Sequence, residues 1–380
     1  MTPILPGSTI GILGGGQLGR MVTLAARTLG YHVIVLDPSA SCAAGPVADR
    51  VIAAPFDDVA ATVELARASD VVTVEIEKIG VDAMRAAAEH APVRPGAHVL
   101  HVVQDRSRQK RWLAEHGFPV GPYSEATTRE ELEAAAIDAR GNAFVKLCTG
   151  GYDGRSQFRL TSTDQIDQAW RSLGGGASVV EHALDLEMEI SVLVARRPGG
   201  ECVVYPPSCN QHENGVLDWA VIPAPVSEDV ARRATEIATG IAEKLDVVGL
   251  LVTEVFVLRD GSVMVNELAP RPHNSFHHTE LTVLTSQFEQ AVRSICDLPL
   301  GSPEVVRPCA ITNLFGDLWL ADAPPPWPLA LEIPGVKVHL YGKSPRPGRK
   351  MGHVGAVGST AKEAVELVRE ARKRLRGGSR

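Results

Sequence analysis

Short apolar runs at Ser8 to Leu13, Tyr31 to Leu36 and Val71 to Val74 read as strands of an open parallel sheet. The first runs into Gly14-Gly15-Gly16-Gln17-Leu18-Gly19 and a helix from about Arg20 to Leu29. The second ends at Asp37 and the third at Glu75-Ile76-Glu77. This predicts an α/β unit over residues 1–105. A helix over Arg106 to His116 is then stopped by Gly117-Phe118-Pro119-Val120-Gly121-Pro122. A helix at Arg129 to Ala139, a strand at Ala143 to Leu147, a glycine-rich loop to Gln157, and strands at Ser178 to Glu181 and Glu187 to Ala195 predict a smaller α+β unit over 106–195. From 196 to 380 strands and helices alternate, and the Pro- and Gly-punctuated stretch from Leu331 to Val357 predicts a small β-rich terminal part. The fold class is therefore α/β and α+β in three domains.

Within the third unit, two β-rich runs flank Asp260-Gly261. A two-residue turn there pairs Arg259 with Ser262 and, counting outward, sets Glu254 opposite Glu267. Like charges in that position are destabilising. A hard divalent cation such as Mg2+ between the carboxylates would remove the conflict and point to a nucleotide site. The plain alternative is a solvated strand face. Lys146 ends a strand just before the glycine-rich loop, which suits a cation on phosphate, although no Walker A run occurs. Exposed backbone groups of the connector Glu181-His182-Ala183-Leu184 suit an adenine edge, and Glu189 could accept from ribose hydroxyls.

The first glycine turn and Asp37 match a dinucleotide fingerprint and, alone, suggest an NAD enzyme. Glycines also serve wherever a backbone approaches any anion at a helix N-terminus. The run Asn266 to Ser275 is polar and held by two prolines, with Arg271 offering a planar fork for an oxyanion. A metal on His273 and His277 is disfavoured, since Pro272 breaks a helix and no His-Glu-x-x-His motif exists. His278 reads as a packing or hydrogen-bonded residue. Tyr341 to His353 crowds Lys343, Arg346, Arg349 and Lys350 together, either as a solvated loop or as a phosphate site.

Composition narrows the field. The 380 residues carry a net charge of −7 without a long basic face, which argues against nucleic acid as a partner. The basic tail Arg372-Lys373-Arg374-Leu375-Arg376 ends a helix whose capping box is Ser359 or Thr360 with Glu363, so it reads as cations at a helix C-terminus. The six cysteines fit neither a zinc site nor a disulfide framework. With no secretory pattern and no uncharged apolar run of about 18 residues, a cytoplasmic protein without a membrane partner is expected.

Gly11 to Met21, Gly150 to Arg155, Asn266 to Ser275, Thr285 to Gln290 and Gly348 to His353, in that order, resemble the 5-(carboxyamino)imidazole ribonucleotide synthetases of the ATP-grasp superfamily. The resemblance implies a three-domain ATP-grasp fold with a Rossmann-like pre-ATP-grasp domain. It also implies an ATP-dependent ligase that carboxylates 5-aminoimidazole ribonucleotide with bicarbonate through carboxyphosphate, in purine biosynthesis. By motif match, Arg106, Lys146, Gly151, Tyr152, Asp153, Gly154, Arg155, Ser156, Gln157, Glu181, His182, Ala183, Leu184, Glu189, His212, Asn266 and Glu267 would bind ATP. Glu254 and Glu267 would hold Mg2+, or Mn2+. The ribonucleotide would meet Gln17, Leu18, Glu75, Ile76, Tyr152, Asp153, Arg155, Arg271, His273, Asn274, Ser275, Lys343, Arg349 and Lys350. Tyr152, Arg155, Arg271 and His273 would act on the reacting groups. Family members are commonly homodimers, and a downstream mutase would receive the labile product. Three departures stand out: Leu147-Cys148-Thr149 where the family often has phosphate-facing cations, Ser156 for a common glycine, and Phe276-His277-His278. The competing readings are a formate-using or biotin-type ATP-grasp ligase, the NAD oxidoreductase, and an idle nucleotide-binding module.

Overall fold

The computed structural model describes residues 2–150, 156–213, 215–320 and 324–377. Its first sheet has four parallel strands in the order Arg50–Ala53, His32–Asp37, Thr9–Leu13, Val71–Val74. The helix Gln17–Thr28 starts three residues earlier than the apolar pattern predicts, directly after Gly16.

The glycine turn before that helix is already occupied. Gly15 N–H donates to Asp37 Oδ2 at 2.9 Å, and Gly16 and Gly19 N–H donate to the two oxygens of Glu75, each at 2.9 Å. The acid expected to hold a ribose thus braces the turn, and a buried carboxylate takes the helix N-terminal amides that a pyrophosphate would need. This corrects the dinucleotide reading. The glycines serve close packing: a Cβ on Gly19 would lie 2.4 Å from the Gly14 carbonyl oxygen.

A second sheet, antiparallel, runs Tyr123–Ala126, Ser178–His182, Ala143–Leu147, Gln157–Leu160. Its helix Arg129–Asp138 begins on a capping box of Thr128 and Glu131, and buries Leu132 and Ala135 against Val145 and Val180. The strand Leu186–Arg196, expected in this unit, lies instead inside the large sheet, paired on one side with Gly249–Leu258 and on the other with Ser208–Glu213. Its apolar run Ile190 to Ala195 is buried as a central strand requires, so this strand belongs to the large sheet and not to the four-stranded one.

The large sheet has nine strands. Its path is Val263–Ala269, Gly249–Leu258, Leu186–Arg196, Ser208–Glu213, Val216–Ile222, Cys309–Phe315, Lys350–Val357, Val336–Leu340, with Cys202–Val204 beside Leu186–Arg196. The expected β-rich terminal part is therefore the far edge of one continuous sheet. The helix Ala361–Leu375 covers it with Ala364, Val368 and Leu375, N-capped by Thr360. Of its terminal cations, Arg372 pairs with Asp218 and Arg374 with Glu370, in keeping with a helix end.

The first unit is not free of the third. Ile10, Met21 and Val33 share one apolar core with Val252, Phe276 and Phe288. Between the second sheet and the large one runs the helix Arg106–Glu115, capped by Asp105, whose Gln109 side chain accepts from Leu268 N–H at 3.2 Å. Gly19→Ala is expected to destabilise the protein by roughly 1–3 kcal/mol through overpacking. Chemical denaturation checks it, and an unchanged midpoint would show that the helix can shift away without cost.

Candidate active site

The hairpin does set Glu254 across from Glu267, but by a different route from the one its sequence suggests. Val257 pairs with Val263, and Arg259, Asp260 and Gly261 form a three-residue loop closed by Leu258 and Ser262, with Gly261 at φ +78°. Arg259 therefore does not pair with Ser262. That register alone would bring Glu254 opposite Asn266. A bulge then adds Asn266 as an extra residue between the pairs Val255–Val265 and Glu254–Glu267. The two one-residue shifts cancel, and the bulge turns Asn266 towards the carboxylates: its Nδ2 donates to Glu254 Oε2 at 3.4 Å.

These carboxylates differ in their surroundings. Burial and the neighbouring charge of Glu267 push Glu254 up to about 7. Burial would also raise Glu267, but the Arg106 guanidinium, 2.8 Å from Oε2, outweighs it and holds Glu267 well below the usual carboxylate range. The two acids form a hard-oxygen pair that fits Mg2+ or Mn2+ better than a softer metal, with the Asn266 amide beside them.

Facing them is a buried cationic group. Lys146 Nζ donates to Glu181 Oε2 at 2.8 Å and to Asn266 Oδ1 at 3.4 Å. On the other oxygen of Glu181, Lys110 Nζ lies at 3.3 Å. Lys110 is absent from the residues that the sequence singles out. The signal was there: it stands one turn after Arg106, on the helix face that buries Gln109 and Leu113. Gln157 is the cross-strand partner of Lys146, and Ser156 O accepts from Leu147 N–H at 2.9 Å, so both ends of the glycine-rich loop start from this point. Gly151, Tyr152, Asp153, Gly154 and Arg155 lie outside the described residues.

The connector after Glu181 carries its own bonds. His182 Nε2 lies 3.3 Å from Asp138, Ala183 N–H donates to Asn142 O at 2.9 Å, and Leu184 packs beside Gly121. Further along the large sheet, His212 Nδ1 is 3.0 Å from Glu189 Oε2. Burial opposes the charge of His212, yet that carboxylate raises its affinity for a proton.

The strand bearing Glu267 leads straight into the motif of Arg271 to Ser275. Arg271 Nε lies 2.7 Å from Glu77 Oε1, an acid not among the expected contacts although it closes the Glu75-Ile76-Glu77 strand end. His273 is held from both sides by Gln287, whose Oε1 accepts from its N–H at 2.8 Å and whose Nε2 donates to its carbonyl at 2.9 Å. Its ring Nδ1 meets Ser275 Oγ at 2.8 Å and its Nε2 lies 3.6 Å from Glu254 Oε1. Asn274 and Ser275 are buried beside it. His277 turns away into the core against Phe288 and His353, and His278 meets Ser208 Oγ at 2.9 Å. Phe276, His277 and His278 are thus packing residues.

Across the cleft, Gln17 and Leu18 open the first helix, and Lys343 from the far edge of the large sheet hydrogen-bonds Gln17. Glu75 is turned inward to the glycine amides, with Ile76 next to it. Arg349 donates to Ser344 O at 2.9 Å, and Lys350 begins the adjacent strand. The structure therefore draws residues from positions 17, 75, 271 and 343 to one cleft.

Comparisons with known proteins match the chain over most of its length. Residues 7–104 match the ribonucleotide synthetase preATP-grasp domain, 111–288 the ATP-grasp domain, and 309–367 the phosphoribosylaminoimidazole carboxylase C-terminal domain. The N5-carboxyaminoimidazole ribonucleotide synthase of Bacillus subtilis is 40% identical over 353 residues, 92% of each chain. That of Brucella melitensis is 41% identical, over 93% of this chain and 97% of its own. An N5-carboxyaminoimidazole ribonucleotide synthetase solved as its ADP complex superimposes with a TM-score of 0.92 at 38% identity, covering 98% of both chains. The Aspergillus clavatus enzyme, solved with ADP and 5-aminoimidazole ribonucleotide, gives 0.89 at 31% identity, covering 97% of this chain and 98% of its own. With matches along nearly its whole length, the chain belongs to the N5-carboxyaminoimidazole ribonucleotide synthase family.

Proposed function

We infer that the chain is an ATP-dependent ligase that carboxylates 5-aminoimidazole ribonucleotide to N5-carboxyaminoimidazole ribonucleotide in purine biosynthesis. The observation that carries this reading is the 3.6 Å approach of His273 to Glu254, because it joins the carboxylate and cation end of the cleft to the Arg271–Ser275 end. A nucleotide and a second substrate would meet there.

Our finer reading assigns bicarbonate as the carboxyl source. A bicarbonate oxygen bonds to the γ-phosphorus of ATP as the bond to the ADP oxygen breaks, giving carboxyphosphate. The ribonucleotide amino nitrogen then bonds to the carbonyl carbon, phosphate leaves with the electrons of the broken C–O bond, and the nitrogen gives up a proton. Arg106 and Lys146 hold phosphate oxygens, and the Glu181–Leu184 connector with Glu189 and His212 holds the nucleoside. Glu254 and Glu267, with Asn266 beside them, would hold Mg2+, which neutralises phosphate charge when bound. Arg271 and His273 sit where charge develops on the carboxyl group, and Tyr152 and Arg155 belong to the loop that would exclude water from the mixed anhydride. Gln17, Leu18, Glu75 and Ile76 form one wall of the ribonucleotide pocket. Asn274, Ser275, Lys343, Arg349 and Lys350 complete it, the last three on the phosphate. A cytoplasmic homodimer that passes its labile product to a mutase fits this chemistry, and no helix among the described residues is long and apolar enough to cross a membrane.

Phosphate release from ATP with bicarbonate is expected to rise strongly when 5-aminoimidazole ribonucleotide is added; indifference to that substrate would sink the assignment. Glu267→Gln should lower turnover roughly 10²-fold or more while the fold persists, as a circular dichroism spectrum checks.

The raised Glu254 yields a pH test. Between about pH 5 and 7 the folded state holds a proton on Glu254 that the unfolded chain has lost, so without Mg2+ this group's contribution to stability falls as pH rises through that window. Relative to Glu254→Gln, the native sequence should lose on the order of 2 kcal/mol over it. Added Mg2+ should restore stability at pH 8 in the native sequence only. Parallel pH profiles with and without Mg2+ would contradict the cation role.

A further inference from the structure

Lys110 has no part in the residues assigned above, yet it is among the most deeply buried charges of the molecule, with a side chain 4% exposed. Its place follows from the helix Arg106–Glu115. Arg106 and Lys110 are one turn apart on a single face, so one helix sends a guanidinium to Glu267 of the large sheet and an ammonium to Glu181 of the small one. The Glu181 carboxylate is divided between two lysines: Oε2 accepts from Lys146 at 2.8 Å, and Oε1 faces Lys110 at 3.3 Å. Oε1 is buried and accepts no hydrogen bond among the described residues, so the Lys110 ammonium is its close charge compensation. Burial lowers the Lys110 affinity for a proton, and Glu181 works against that shift.

Two cations on one buried carboxylate make one of them exchangeable. Removing the sole partner of a buried charge is strongly destabilising, whereas removing one of two leaves the charge compensated. Lys146, at the mouth of the glycine-rich loop, is the one beside Asn266 and the carboxylate pair. Lys110 lies on the opposite side of Glu181, within 5.8 Å of the Tyr123 ring. We propose that Lys110 is a positioning residue for the nucleotide: by holding Glu181 it lets Lys146 leave that carboxylate for the phosphates. This role rests on the assignment of Lys146 to nucleotide phosphate.

The proposal makes Lys110 matter only through Glu181, which a double-variant cycle tests. ADP affinity is measured by titration calorimetry for the native sequence, Lys110→Met, Glu181→Gln and the double variant, with thermal unfolding as the control for folding. Lys110→Met is expected to weaken ADP about tenfold, a difference of about 1.4 kcal/mol. The KM for 5-aminoimidazole ribonucleotide should change less than about twofold, because the partners of Lys110, Glu181 and the Tyr123 ring, are not among the residues assigned to that substrate. Lys110→Arg should recover most of the loss. In the Glu181→Gln background, where no buried carboxylate needs a second cation, adding Lys110→Met should leave ADP affinity unchanged. Unchanged ADP affinity in Lys110→Met, or an equal loss in both backgrounds, would overturn the proposal in favour of a packing role. Should Lys110→Met alone fail to fold, the comparison of Glu181→Gln with the double variant decides, since the latter removes Lys110 together with the carboxylate it compensates, and a loss of ADP affinity between those two would overturn the proposal. A native protein that binds no ADP would instead overturn the functional reading on which this role stands.

Discussion

Everything in the cleft depends on the cost of placing Glu254 and Glu267 side by side on neighbouring strands. Without an answering charge, two carboxylates in register repel, and the structure answers them unequally. Glu267 is given Arg106, while Glu254 is left with His273 at 3.6 Å and with the Asn266 amide. One acid is thereby kept ionised and the other is poised near neutrality. Such an arrangement leaves a demand for positive charge once Glu254 ionises, which the cation of the proposed site would meet.

The balance is set by one short helix. Arg106–Glu115 leaves the first unit and inserts Arg106, Gln109 and Lys110 between the two other sheets. Gln109 fixes the backbone of the Glu267 strand, and the two cations fix one acid on each sheet. Because both sheets are tied to the same helix, the distance between the Lys146 side and the Glu254 side of the cleft is a property of the fold rather than of any loop.

Much of this was legible beforehand, for reasons that differ by residue. The glutamate pairing was readable because side chains alternate strictly along strands, yet the route to it was not: a three-residue loop and a bulge each move the register by one, and their cancellation depends on backbone geometry around Gly261 and Asn266. The sheet that takes Leu186–Arg196 is not legible, because such a strand does not announce which sheet will bury it. Lys110 and Glu77 do not stand out, because an isolated charge in a helix or at a strand end looks solvated until its partner from a distant segment is known.

The first unit shows why a glycine fingerprint underdetermines function. Amides at the start of a helix seek negative charge, but a phosphate is only one way to provide it. Here the chain provides its own, from Glu75 at the end of the fourth strand, with Asp37 closing the turn from the second. Once those donors are satisfied internally, the turn no longer recognises pyrophosphate and becomes a rigid wall. Its other side, opened by the half-buried Gln17 and tied to Lys343, is the one that the proposed ribonucleotide site would use. The same local sequence pattern thus carries no commitment to a dinucleotide, because a single buried carboxylate has taken the place of the phosphate.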